Sequence, residues 1–127
     1  MTIYGSGAQR RCFTHVTDIV DAIVRLMKAH ASGIFNVGNI ANHTSISQLA
    51  TRLGDTAVRM GLGQPPIVAH VDPKVLHGPD YEEAPDKVPD ISKLREVIKW
   101  EPRFDLDAIL EGVMLSSAGV RSEILCE

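Results

Sequence analysis

Residues 3–30, "IYGSGAQRRCFTHVTDIVDAIVRLMKAH", run from a glycine loop into a helix, and their reading decides the fold. Gly5, Ser6 and Gly7 are small, and Gln9, Arg10 and Arg11 follow them. Glycine lets a backbone approach a ligand closely. A guanidinium fork binds phosphate oxygens in pairs and keeps its charge. The stretch therefore reads as an anion-holding loop, with a β-turn carrying two solvated arginines as the alternative. Further on, Val16, Ile19, Val20, Ile23, Leu26 and Met27 recur at helical spacing, one apolar stripe on a helix. Thr14 or Thr17 is expected to cap it, and Asp18 falls in its first turn, where the helix dipole favours a carboxylate. Lys28 and His30 stand at the other end, with Gly33 as the stop.

Working outward, "GIFNVGN" (33–39) reads as a buried strand carried by Ile34, Phe35 and Val37. In "SISQLATRLGDTAVRMG" (45–61), Ser45 and Gln48 have capping-box spacing, and Ile46, Leu49, Ala50, Leu53, Ala57 and Met60 form a second helical stripe. Gly61 and Gly63 close that helix, and "PPIVAHV" (65–71) is a short strand starting just after Pro66. Residues 71–89 carry four prolines and a carboxylate-rich centre, which predicts a long loop. Asp90 then caps a helix with Ile91, Leu94, Val97 and Ile98 on its apolar face. Asp105 caps another, with Phe104 and Ile109 placed as a hydrophobic staple and Leu106, Leu110, Val113 and Met114 facing inward. Residues 118–127 would extend that helix or fray. The order is loop–strand, helix, strand, helix, strand, long loop, helix, helix, an α/β pattern with about four short strands.

With 127 residues, a net charge of −3, 44% hydrophobic and 23% charged residues, the chain suits one globular domain over 1–127. The acidic balance argues against nucleic acid as a partner. No apolar run reaches the roughly 18 residues that span a membrane, and the start lacks the apolar region of a signal peptide. Cys12 and Cys126 form no C-x-x-C pair, so both read as free thiols in a reducing cytoplasm. The five histidines show no zinc spacing. Asp80, Glu82, Glu83 and Asp86 read as a solvated loop, since calcium-loop spacing is missing.

"IYGSGAQRRCFTHVTDIVDAI", "FNVGN", "SISQLA", "VPDISKLR" and "WEP" occur here in the order in which one family carries them. From Ile3 to about Val113 the chain resembles the C-terminal, substrate-binding part of extended short-chain dehydrogenase/reductases that act on nucleotide sugars. UDP-glucuronate decarboxylases and UDP-hexose 4-epimerases are the nearest likeness. The resemblance implies a fold portion lacking most of the Rossmann domain. It also implies a parent NAD-dependent epimerase, dehydratase or decarboxylase whose chemistry passes through a 4-keto sugar, with a tyrosine as base. The family's glycine-rich NAD loop and Tyr-x-x-x-Lys pair have no counterpart here. Tyr4 and Tyr81 are followed four residues on by Ala8 and Pro85, and the Gly61–Gly63 cluster ends a helix. NAD would thus belong to the full-length enzyme and not to this chain alone, which is expected to be a truncated, inactive part with no catalytic residue and no metal.

The resemblance assigns Arg11 to the diphosphate of a nucleotide sugar, with Gln9 as a polar contact and Gly5 and Gly7 as the close-approach glycines. Lys87 stands where the family has arginine, so the charge is kept and the fork lost. Asp86 beside it partly cancels that charge. Arg10 is expected to face water. Asn36 and Asn39 lie where the family's strand end nears cofactor and substrate, against a plain turn reading. His15 falls at a structural turn position. Lys99 replaces a helix-ending glycine, a small cost if that backbone is left-handed, and Trp100 reads as core. The alternative to a sugar-nucleotide site is an interaction module. The stripe Val16–Met27 and the strand 34–37 would then be uncovered apolar faces inviting a homo-oligomer or a missing Rossmann half.

Overall fold

Local capping signals account for most helix boundaries in the structure, a computed structural model that describes residues 1–117. Cys126 and the expected extension over 118–127 lie outside the described residues. Helix α1 spans Val16–Lys28, α2 Ile46–Arg59, α3 Lys74–His77, α4 Ser92–Ile98 and α5 Leu106–Ser117. The capping box of α2 forms as its spacing predicts: Ser45 Oγ accepts from Gln48 N at 3.1 Å, and Ser45 N donates to Gln48 Oε1 at 3.2 Å. Asp105 caps α5, accepting from Ala108 N at 2.9 Å. Asp90 is not the cap of α4: Ile91 precedes the helix without a side-chain cap, and Asp90 accepts from Ser92 N at 2.9 Å from one residue further back.

The cap of α1 is a correction. His15, not Thr14 or Thr17, precedes the helix, and its Nδ1 accepts from Thr17 N at 3.1 Å. The Thr14 hydroxyl is spent on Asn39 N, at 2.8 Å.

Among the described residues five short strands make two small sheets. β1 (Thr2–Tyr4) pairs parallel with β4 (Ala69–Val71). β2 (Arg10–Cys12) lies between antiparallel β3 (His43–Ser45) and parallel β5 (Asp86–Lys87). The long loop 71–89 therefore contains a helical turn and a strand, because β2 offers its free edge to residues 86–87. The expected strand at 34–37 does not form, and Ile34 is 88% exposed. A strand needs a hydrogen-bonded neighbour. This segment is instead pinned by side chains: Asn36 Nδ2 donates to Asp90 O at 3.2 Å, and Lys93 Nζ to Ile34 O at 2.9 Å.

The core sits between α1 and α4. Ala22, Ile91, Leu94 and Trp100 are buried together, with Leu26, Phe35, Val37 and Ile98 packed around them. Trp100 is core, as read. The stripe on α1 is largely open: Val16 is 69% and Met27 71% exposed, with Val20 and Ile23 also open, while Leu26 packs on the core. The inward side is Asp18 and Ala22, because α4 packs there. Val113 likewise faces outward.

Candidate functional site

The residues around β2 gather most of the sequence candidates. The loop before it is held by glycine conformation and by α2. Gly5 and Gly7 have φ of 76° and 74°, which side-chain-bearing residues rarely adopt. A Cβ on Gly7 would run into Ser47 Oγ. Ser47 N donates to Gly7 O at 3.0 Å, and Ser47 Oγ to Ser6 O at 3.2 Å. Gly7 thus serves packing on the first turn of α2. Gly5 faces a cleft of about 280 Å³, walled by Tyr4, Gly5, Ser6, Ala8 and Gln9 on one side and by Pro73, Glu83 and Pro85 on the other. Gln9 is held in that wall by its Nε2 donating to Tyr4 O at 3.1 Å.

Register brings the charges together. Arg11 on β2 stands opposite Lys87 on β5, and Arg10 opposite Asp86. The Arg11 guanidinium pairs with the carboxylate of Glu83 and donates to Arg10 O at 2.6 Å. The Tyr81 phenol donates to the other oxygen of Glu83, and its ring stacks on His77 with centroids 4.5 Å apart. The Tyr81 hydrogen bond, with Arg11 and Lys87 behind it, holds the Glu83 carboxyl below the usual glutamate range. The same bond pushes the Tyr81 phenol up. The loop carboxylates are therefore not all merely solvated: Glu83 has these two partners, and Asp86 Oδ1 lies 2.6 Å from His43 Nε2. Arg10 is exposed, as expected, and its Nη2 lies 3.3 Å from His43 Nδ1. Burial, and then the nearby Asp86 charge, push the Cys12 thiol up, which makes it a poor nucleophile.

Gly5 and Gln9 line the cleft, whereas Arg11 and Lys87 stand beside it and Arg11 meets its wall only through Glu83. Asn36 and Asn39 do not line the cleft. Asn39 is buried, with Nδ2 donating to Phe104 O at 2.9 Å and Oδ1 accepting from Ala41 N at 3.0 Å, so its side chain does turn chemistry. Among the described residues no three His, Cys, Asp or Glu side chains cluster to hold a metal. No helix among them is long and apolar enough to cross a membrane.

Two arrangements escaped the sequence reading. One is the Tyr81–Glu83–Arg11 chain, which spans 72 residues. The other is the fully buried Asp18 carboxylate, which accepts from Arg103 N at 3.1 Å and Phe104 N at 3.2 Å and lies 3.6 Å from Arg103 Nε. No local signal in the sequence marks it, because Asp18 lies off the apolar stripe and its partners are 85 and 86 residues away.

The described residues do not fit a dinucleotide cradle. That cradle needs a glycine turn leading from a strand into a helix whose N-terminus meets the pyrophosphate. Here the Gly5–Gly7 turn leads from β1 into strand β2, and Gly7 is filled by Ser47.

A protein-family model described as GDP-mannose 4,6 dehydratase matches residues 1–113. The chain is 32% identical over 127 residues to UDP-glucuronic acid decarboxylase 4 of Arabidopsis thaliana, covering 98% of this chain and 25% of that protein. The fold superposes on the PbgP3 protein of Burkholderia pseudomallei with a TM-score of 0.74 at 20% identity, over 94% of this chain and 34% of that one. It also superposes on UDP-glucuronic acid 4-epimerase of Bacillus cereus, in complex with UDP-glucuronic acid and NAD. There the TM-score is 0.69 at 22% identity, over 87% of this chain and 32% of that one. The chain spans about a quarter of the length of the curated relative and about a third of the solved chains.

Proposed function

Because the chain belongs to the GDP-mannose 4,6 dehydratase family, we propose that it is the nucleotide-sugar-binding part of an NAD-dependent epimerase, dehydratase or decarboxylase, working in the cytoplasm. It holds the diphosphate of a nucleoside diphospho-sugar with Arg11 and Lys87, and Gln9 lines the way in. The observation that carries this reading is the β2–β5 register, which sets Arg11 beside Lys87 next to the cleft walled by Gly5 and Gln9. Arg11 supplies the fork and Lys87 a point charge. NAD supplies hydride transfer in enzymes of this kind, but the Gly5–Gly7 turn does not form the glycine cradle that would hold its pyrophosphate. The chain alone is therefore expected to show no turnover when given NAD and UDP-sugars, and measurable turnover would overturn that part of the reading. Calorimetric titration with UDP, dTDP and a UDP-sugar tests the site. Binding that disappears in Arg11→Ala supports it, and binding that survives the substitution refutes it.

A second reading, a non-catalytic module that associates, rests on a separate observation. Val16, Val20, Ile23, Val24 and Met27 leave α1 with an exposed apolar face. A second copy of the chain, or a Rossmann half, would cover it. Light scattering should then give a mass above the monomer, and a strictly monomeric chain counts against self-association.

A further inference from the structure

The Arg11 site already has an anion in it. Glu83 projects into the wall of the cleft, pairs with the Arg11 guanidinium through one oxygen and receives the Tyr81 phenol on the other. We infer that Glu83 is a built-in competitor for the anion site, held over Arg11 by Tyr81, and that it decides which anions bind. This rests on the reading of Arg11 as a diphosphate-binding residue.

The selectivity follows from charge and valence. A tethered carboxylate competes at high effective concentration. A free monocarboxylate offers Arg11 nothing that Glu83 does not already provide. A diphosphate brings more charge and more acceptor oxygens, engages the fork bidentately and also meets Lys87, opposite Arg11 on β5. Displacing Glu83 disturbs only an exposed contact, since about a third of its side chain remains open to water. The site therefore excludes monoanions, admits diphosphates, and releases Glu83 and Tyr81 from Arg11 when it fills.

Glu82 provides a charge-matched control, because it is exposed and pairs with no cation among the described residues. The test is titration of the 127-residue chain with UDP, inorganic pyrophosphate and acetate, repeated on Glu83→Gln, Glu82→Gln, Tyr81→Phe and Arg11→Ala. Glu83→Gln should bind UDP and pyrophosphate about fivefold or more tightly than Glu82→Gln, the low end of ordinary coupling between sites. Tyr81→Phe should fall between wild type and Glu83→Gln, and acetate, excluded from wild type and Glu82→Gln, should bind Glu83→Gln. Equal affinities for the two glutamate variants, or a weaker Glu83→Gln or Tyr81→Phe, would overturn the competitor role while loss of binding in Arg11→Ala kept the site. Binding that survives Arg11→Ala, or no binding by any variant, removes the diphosphate reading itself and this inference with it.

Discussion

The seam between α1 and α4 and the edge where β2 meets β5 each join residues far apart in the chain, by different physics. In the seam, Ala22, Leu94 and Trp100 have no exposure, and the buried Asp18 carboxylate is met by two backbone donors. Burying a large apolar side chain there contributes about 1.5–3 kcal/mol. At the edge, Arg11, Glu83, His43 and Asp86 are all partly open to water. Exposed ion pairs contribute about 0–1 kcal/mol. The difference separates the two tasks: the seam carries the stability, and the edge can exchange a partner for a ligand at little cost to the fold.

The seam is where that comparison is easiest to break. Trp100→Ala should lower unfolding stability by about 3–5 kcal/mol, the range for removing a large aromatic from a core, read from the urea midpoint. A loss under 1 kcal/mol would mean that the α1–α4 seam does not hold the domain. Asp18→Ala comes next. It leaves the Arg103 and Phe104 N–H groups buried without an acceptor, at about 1–3 kcal/mol. Asp18→Asn keeps one acceptor oxygen and should lose less. If the two variants lost equally, the charge and its 3.6 Å approach to Arg103 Nε would matter more than the backbone bonds.

The same contrast explains how much could be read in advance. The caps of α2 and α5 depend on residues within a few positions of one another, so spacing reveals them, and the large apolar side chain of Trp100 points to the core by itself. Periodicity also finds an apolar stripe on α1, but it cannot say whether protein or solvent lies beside it. The stripe proved largely open, with Leu26 turned to the core, while Asp18, which looked like a dipole-favoured surface charge, is buried. Its partners lie 85 residues away, at Arg103 and Phe104. Residues 34–37 have strand composition without a strand's neighbour. At the edge, the resemblance named Gln9, Arg11 and Lys87 residue by residue, but composition gave no hint that Glu83 would sit on Arg11, since on charge alone the four nearby carboxylates are equivalent.

Lys99 offers a smaller effect that tests the seam from its border. It ends α4 at φ 51° and ψ 39°, left-handed, as the glycine comparison in the sequence implied, directly before Trp100. A non-glycine residue there is strained by about 1 kcal/mol. Lys99→Gly should therefore stabilise the domain by about 0.5–1 kcal/mol, a gain reduced by the freedom glycine adds to the unfolded chain. A destabilised variant would mean that the lysine stem packs on the seam and repays its strain.

The smallest expected change in stability belongs to the edge, and pH gives it a sign. Glu83 has a folded carboxyl lowered by Tyr81, Arg11 and Lys87, so the folded state prefers it ionised. Its contribution is present above the unfolded value of about 4.3 and is lost as pH falls through the lower folded value. Glu83→Gln should cost less at pH 7 than Lys99→Gly gains, and that cost should vanish in acid, where the wild-type carboxyl is itself neutral. Urea midpoints of both proteins from neutral pH down to pH 3 measure it. A pH-independent difference would mean that Glu83 acts through packing and not through its charge. A loss at pH 7 as large as that of Asp18→Ala would make the edge part of the scaffold, and a diphosphate could then no longer displace Glu83 cheaply.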